Sequence, residues 1–155
     1  MKQPNKYSRN GARAEGLVIV FILVAIIGAG AWWLFNTKKQ SQSDARVFGR
    51  AIIEHLAVNH DQAFFAANLG PQAKAELSDS QQKYLVAKLA ELGVPAQPIK
   101  IDENITFEMN FFEPKGLFTA QLNYPTQPVK MEIMVSHPVG KWQVDDMTVT
   151  WNAKP

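Results

Sequence analysis

The stretch FTAQLNYPTQPVKMEIMV, Phe118 to Val135, decides the fold class. Apolar residues occupy every second position from Phe118 to Tyr124 and again from Val129 to Val135. This period of two is that of a strand with one buried face. The segment between them, Pro125 to Pro128, has the composition of a turn. The stretch therefore predicts two antiparallel strands joined by a short connection.

The same alternation extends outward on both sides of this pair. Upstream it covers Ile99 to Phe111 and is followed by a predicted turn at Pro114–Gly116. Downstream, after a predicted turn at Pro138–Gly140, it covers Trp142 to Trp151. The apolar phase slips by one residue inside this last segment, which predicts a β-bulge at Asp145–Asp146. Four such strands predict an antiparallel meander.

Helical patterns lie between the N-terminal region and the sheet. Ser43-Asp44 is predicted to cap a helix whose apolar stripe includes Val47 and Phe48, and Asn59-His60-Asp61 interrupts that stripe. Gly70-Pro71 marks a further stop, and the last helix starts with a capping box at Ser78 and ends before Gly93. Because the sheet has one apolar face to cover, the prediction is an α+β fold, with two to three helices packed on a four-stranded antiparallel meander.

A run of twenty residues without a charge, Gly16 to Phe35, precedes this domain. A helix of about 20 residues spans the roughly 30 Å hydrocarbon core of a bilayer. The run predicts a transmembrane helix over residues 16–36. At its far end we expect four residues to occupy the membrane interface: Trp32, Trp33, Lys38 and Lys39. Gly28 and Ala31 are candidates for a helix-packing contact inside the bilayer.

Charge is distributed unevenly along the chain. Residues 1–40 carry a net charge of +5, whereas the remaining residues carry −3. By the positive-inside rule, residues 1–15 form a cytoplasmic basic N-terminus. Residues 37–43 are either a juxtamembrane linker or a helical extension, and 44–152 form the exported α+β domain. We expect a single-pass protein of the inner (plasma) membrane with this domain on the periplasmic or extracytoplasmic side, and no binding of nucleic acid, because the folded part is acidic.

Two alternatives for the apolar run remain open. Ala29-Gly30-Ala31 resembles a signal-peptidase site, so the first alternative is a cleaved signal peptide, although cleavage there would leave a mature chain that starts at Trp32. Glu15 ahead of the run is similar to the start of type IV pilins and pseudopilins. Their processing site has glycine five residues before the glutamate, however, and Gly11 is four residues away.

Residues whose side chains could take part in catalysis or metal binding are few and scattered along the chain. The chain has no cysteine and three histidines, which excludes disulfides, thiolate metal sites and cysteine nucleophiles. The best catalytic hypothesis uses His60 and Asp61 with Tyr84 or Tyr124, but Asn-His-Asp is also ordinary turn and N-cap chemistry. The acidic pairs Asp102-Glu103 and Asp145-Asp146 have too few oxygen ligands for calcium and read as a solvated strand end and a bulge. We expect no catalytic activity, no cofactor and no metal.

Several of these sequence features resemble those of known small α+β domains. The helix break at residues 59–61, the stop Leu69-Gly70-Pro71, the capped helix from Ser78 to Leu92 and the final strand with Gly140-Lys141-Trp142-Gln143-Val144 are similar to nuclear-transport-factor-2-like domains. The match covers residues 44–152. A membrane-anchored domain of this kind also resembles type IV secretion assembly factors and the cystatin-like oxidase-assembly family. These resemblances imply a helix-on-sheet fold that serves docking, ligand-binding or enzymatic roles in different members.

The sequence as a whole favours a non-catalytic accessory or assembly subunit of a larger membrane complex. Phe112 and Trp151 are the candidate docking residues, since an aromatic side chain beside a turn or at a strand end suits a protein interface. The partners would be the lipid bilayer and other subunits of the complex. The alternatives are a membrane-tethered cone that binds an apolar ligand, the enzyme built on His60 and Asp61, and a pilin-like structural subunit.

Overall fold

The computed structural model of the chain describes residues 11–108, 113–138 and 140–152. Within them, helices come first and strands follow. The helices are α1 Gly11–Ala57, α2 Gln62–Asn68, α3 Pro71–Glu76 and α4 Asp79–Leu92, and the strands are β1 Lys100–Glu108, β2 Glu113–Asn123, β3 Pro128–Ser136 and β4 Gln143–Trp151. The strands form one antiparallel sheet in the order β1-β2-β3-β4. The predicted α+β meander is confirmed.

The chain forms two compact units, divided between Gln40 and Ser41. The first unit contributes the apolar part of α1. The helix continues without a break through residues 37–43, so this segment is helical. The predicted cap at Ser43-Asp44 is wrong, because the amide groups that follow are already bonded within α1 and need no side-chain acceptor.

In the second unit, side chains at the helix ends explain where the short helices begin. Asp61 caps α2, and its Oδ1 accepts a hydrogen bond from the Phe64 amide at 2.9 Å. Pro71 occupies the first turn of α3, where its missing N–H costs nothing. The predicted capping box of α4 is present, with Ser78 and Gln81 bonded reciprocally, and Gly93 ends α4 at a φ of +86°.

The sheet register confirms the bulge and corrects one turn. Val135 pairs with Val144 and Met134 with Asp146, which leaves Asp145 as the extra residue. The prediction of a turn at Pro114–Gly116 is wrong, since these residues belong to β2 and pair with β1. Pro114 lies one residue beyond Lys115, the last residue of β2 that pairs with β3, so among the described strands it has a strand neighbour on one side only, where proline is tolerated.

The core of the second unit lies between the helices and one face of the sheet. The largest side chains with essentially no accessible surface come from both layers: Ile52, Ile53, Leu56, Phe65, Leu89, Phe118, Leu122, Met131, Ile133, Val129, Val135 and Val144. Val47 was predicted in this stripe but is exposed, because its position on α1 points away from the sheet. Glu103 was predicted to be solvated, yet its side chain is only 14% exposed, on the helix-facing side of β1 beside Arg46 and Arg50.

Candidate functional site

The apolar part of α1 has the properties of a membrane-spanning helix. In the part of the chain that the structure describes, it is the one helix long and apolar enough to cross a bilayer. Its large side chains are exposed in the protein itself, including Phe21 and Ile27 at 69% each. Exposed apolar surface of this kind is typical of segments that contact a membrane or another protein.

The predicted interface and packing residues lie on this helix. Trp32 and Trp33 are exposed, and the Lys39 ammonium lies 4.6 Å from the centroid of the Phe35 ring. Lys38 is half-buried. A β-carbon built on Gly28 would meet no atom within 4 Å, so this position is open to an approaching helix, and Ala31 is exposed.

The junction between α1 and α2 gathers two histidines and one carboxylate. The second carboxylate oxygen of Asp61 lies 3.3 Å from Nδ1 of His55, whose ring stacks on Phe64 at 3.8 Å between centroids. The backbone N–H of Phe64 chiefly, and His55 in addition, hold the pKa of Asp61 below its usual value. His60 adopts a φ of +53°, and its Nε2 is buried without a hydrogen-bond partner among the described residues. Asp61 thus acts as the predicted N-cap.

The two tyrosines of the catalytic hypothesis have separate environments. Tyr84 lies on α4 and is 68% exposed. Tyr124 is buried, and its hydroxyl donates a hydrogen bond of 3.2 Å to the carbonyl oxygen of Ala57 in the last turn of α1. Burial raises the pKa of Tyr124 to about 12. Tyr124 therefore satisfies a carbonyl that the helix end leaves without an intrahelical donor.

The acidic pairs divide between different surroundings. Asp102 is exposed, whereas Glu103 is bonded to two arginines. At the bulge, Asp145 accepts a hydrogen bond of 2.8 Å from the Gln143 amide, and Asp146 is exposed. Among the described residues, no three His, Asp or Glu side chains lie close enough together to hold a metal ion.

Of the two candidate docking residues, the structure describes one. Phe112 lies outside the described residues. Trp151 belongs to β4, where it pairs with Val129, is half-buried and packs against the core. His137 is also half-buried, with the centroid of its ring 4.9 Å from that of Trp142.

Clefts open on the surface of the second unit, and we name two of them. The edge cleft, about 430 Å³, lies between α1, the segment before β1 and β1 itself, and is lined by Arg50, Ile53, Glu54, Val58, Val94, Gln97, Pro98, Ile99 and Ile101. The end cleft, about 320 Å³, is lined mainly by polar residues: Pro71, Gln72, Glu113, Lys115, Ser136, His137, Pro138, Gln143 and Asp145. Ligand pockets commonly start at about 300 Å³, so each could accept one or two side chains of a partner.

Sequence reasoning missed the residues of the edge cleft. Arg46 and Arg50 are four residues apart on a helix, which places both on one face toward a common acceptor. That spacing was readable, but the acceptor, Glu103, is more than fifty residues away and was assigned to solvent.

No family model, no curated protein and no solved structure matches this chain.

Proposed function

We propose that this chain is a single-pass membrane protein whose C-terminal domain docks on partner proteins as a non-catalytic accessory or assembly subunit of a larger membrane complex. The N-terminus is cytoplasmic, and the domain lies on the periplasmic or extracytoplasmic side. The observation that carries the proposal is the combination of an exposed apolar helix with a domain whose interior is filled by its own side chains.

The first support is the anchor. The basic N-terminal residues and the lower positive charge after the apolar run favour a cytoplasmic N-terminus. The helix passes without a break through Ala29-Gly30-Ala31 and on to Ala57. The apolar run continues past that tripeptide to Phe35, and cleavage after Ala31 would leave a mature chain that starts at Trp32, which favours a retained anchor over a cleaved signal peptide.

The second support is the packing between the two layers. A cavity large enough for a ligand would leave accessible surface on the residues that line it. At the centre of the interface, Leu56 of α1 and Phe118 and Leu122 of β2 have none. The edge cleft is open to solvent at the side of the sheet. This favours docking at the surface over an apolar-ligand cone, which requires a cavity of about 300 Å³ or more between the layers.

The third support is that the polar residues considered as catalytic or ligand-binding candidates already have structural roles. Asp61 caps a helix, Tyr124 satisfies the end of α1, and Glu103 joins α1 to β1. An enzyme on His60 and Asp61 would need a second group within hydrogen-bond reach of His60 Nε2, whereas no residue that the structure describes is bonded to that atom. The resemblance to nuclear-transport-factor-2-like and cystatin-like domains is compatible with docking and remains part of this proposal.

Extraction of the membrane in a mild detergent tests the proposal. The tagged full-length protein should migrate in native electrophoresis and size-exclusion chromatography as part of a larger assembly of defined composition. A matched control replaces Val24 and Ile26 by Asp, which should prevent membrane insertion and remove the protein from the assembly. If the wild-type protein is extracted alone as a monomer under conditions that preserve other membrane complexes, the proposal is wrong.

A further inference from the structure

The two edges of the sheet differ in how far other segments cover them. The edge at β4 is met by the segment that follows α2: Leu69 forms a parallel bridge with Val144, and the Gly70 amide donates a hydrogen bond of 2.8 Å to the Val144 carbonyl. The bulge at Asp145 interrupts the same edge. The other edge is β1, which pairs with β2 alone among the described strands. It is nine residues long, and it contains neither a proline nor a register shift against β2.

Such an edge presents unpaired backbone donors and acceptors, which proteins usually protect. On β1 the apolar residues of the helix-facing side are also incompletely covered. Ile101 and Ile105 are half-buried, whereas their register partners on β2, Ala120 and Gly116, are buried. An additional strand beside β1 would satisfy the backbone groups and cover these side chains together.

The edge cleft lies at the start of this strand. Ile101 of β1 and Ile99, which precedes β1, contribute one side, and Ile53 and Val58 contribute the α1 side. Val94, which is 54% exposed, completes the apolar lining. A side chain that projects from an added strand toward the helix layer would enter this cleft.

The charges beside the cleft specify a further feature of the partner. The Glu103 carboxylate binds Arg46 Nε at 3.0 Å and Arg50 Nη2 at 2.6 Å. One carboxylate is thus shared by two guanidinium groups, whose side chains remain 55% and 59% exposed. The local net charge is positive, and a guanidinium group has further N–H donors for a second carboxylate. Glu54 lies one turn further along α1, so the preference for an acid is confined to the Glu103 end.

We infer that β1 is the docking edge, and that it accepts an extended segment of a partner protein as a fifth strand. On its helix-facing side, the segment carries an aliphatic residue that enters the edge cleft and, two residues away, a carboxylate that binds Arg46 and Arg50. The spacing of two follows from the alternation of side chains along a strand. Backbone hydrogen bonds supply affinity in this mode and the pockets supply specificity. This inference rests on the proposed function and identifies its binding surface.

A second copy of the chain suits this edge poorly. Antiparallel pairing of two β1 strands about Asn104 would bring the arginine pairs of both copies to the same axis, with four guanidinium groups around two Glu103 carboxylates. Like charges at an interface oppose such pairing. The carboxylate that we infer on the partner would instead neutralise the excess positive charge of Arg46 and Arg50.

Synthetic peptides test the inference on the full-length protein in detergent. The probes are fluorescein-labelled Thr-Glu-Thr-Val-Thr-Val-Thr and the same residues in reverse order, one for each strand direction, with binding followed by anisotropy. One of the two should bind, and replacement of its Glu by Lys should weaken binding about tenfold, which corresponds to about 1.4 kcal/mol. N-methylation of the amides on one edge of the peptide should abolish binding, whereas N-methylation on the other edge should not.

Protein variants locate the site. Val94→Asp in the edge cleft should weaken binding at least tenfold, whereas Val47→Asp, an exposed valine of α1 outside the cleft, should not. Arg50→Glu should reverse the preference from the Glu peptide to the Lys peptide. Circular dichroism of each variant checks that the domain is folded. If Val94→Asp is unfolded, the reversed peptide preference of Arg50→Glu decides whether the binding site lies at β1.

Three outcomes would overturn the inference. They are no binding of either peptide up to about 1 mM, equal effects of the two N-methylated forms, and a concentration-dependent dimer of the protein that the peptide dissociates. The same extract reports on the proposed function separately. If the assembly is intact but neither peptide binds, only the inference of a docking site at β1 is wrong. If the wild-type protein is monomeric but binds a peptide, only the proposed role in a larger assembly is wrong.

Discussion

Gly49 of α1 lies so close to Phe118 of β2 that a β-carbon at Gly49 would be 2.6 Å from Cε2 of the ring. A β-carbon at Gly116 would be 2.7 Å from the same atom. The ring, which has no accessible surface, is therefore held between a helix and its own strand at positions where only hydrogen fits. This contact sets how closely α1 approaches the sheet.

Gly49→Ala should destabilise the domain, contrary to the usual effect of this change in a helix. Alanine ordinarily stabilises a helix interior by about 1 kcal/mol relative to glycine. Here the added methyl group overpacks against Phe118, which typically costs about 1–3 kcal/mol. We expect a net loss of up to about 2 kcal/mol, measured by near-ultraviolet circular dichroism during thermal unfolding of the full-length protein in detergent.

Two controls separate crowding from a general effect of the substitution. Gly30→Ala on the same helix, where a β-carbon meets no atom within 4 Å, should leave unfolding of the domain unchanged. In a Gly49→Ala/Phe118→Leu double variant, the loss should be smaller than the sum of the single losses, because leucine vacates the space that the methyl group needs. Additive losses would contradict the contact.

The fold was predictable from the sequence wherever a signal is local. The capping box at Ser78, the phase slip at Asp145 and the break at His60 are each encoded within a few residues, and each is present. The turn predicted at Pro114–Gly116 failed because turn composition was read without the length of the neighbouring strand. Whether β3 extends past Pro114 is a question of register, which no local pattern answers.

The site was less predictable because its parts are distant in sequence. Glu103 was assigned to solvent because acidic residues in strands usually are, and its partner Arg50 is fifty-three residues away. Likewise, the role of Tyr124 depends on the position of the Ala57 carbonyl, at the end of another element. Alternation placed Tyr124 on the apolar face, but it could not show what its hydroxyl contacts.

Tyr124→Phe should destabilise the domain at neutral pH. The substitution keeps the ring but leaves the Ala57 carbonyl without its donor in a buried site, which costs about 1–2 kcal/mol. Thermal unfolding measures the loss. Tyr84→Phe serves as the matched control, since Tyr84 is exposed and its hydroxyl is available to water. Equal effects of the two substitutions would contradict a structural role for the buried hydroxyl.

The same residue predicts a loss of stability in alkali. Unfolding returns the pKa of Tyr124 from about 12 to its ordinary value of 10.0, so the unfolded chain releases this proton first. The contribution of Tyr124 is therefore complete below pH 10 and is lost as the pH rises from about 10 to about 12. Wild-type stability should fall more steeply across this window than that of Tyr124→Phe. Parallel curves would show that the hydroxyl does not titrate differently on unfolding.

Asp61 predicts a loss of stability in acid. Its pKa in the folded protein lies below the ordinary value of 3.8, chiefly because the Phe64 amide donates a hydrogen bond to its carboxylate. The unfolded chain thus takes up a proton before the folded protein does, and the contribution of Asp61, present above about pH 4, is lost as the pH falls. Asp61→Asn keeps a capping oxygen without the charge, so its thermal midpoint should fall less between about pH 5 and pH 3. An identical fall in both proteins would contradict the prediction.

The ion pairs of Glu103 should make a contribution to the stability of the domain that depends on salt concentration. Its carboxylate joins β1 to Arg46 and Arg50, and each half-exposed pair is worth about 0.2–1 kcal/mol. Glu103→Gln should therefore cost about 1 kcal/mol at low ionic strength. The difference should shrink in about 1 M salt, where the Debye length falls to about 3 Å. Asp102→Asn, an exposed neighbour on the opposite face of the strand, should have little effect at either salt concentration. A loss that is independent of salt would mean that Glu103 stabilises the edge by packing of its side chain, not by its charge.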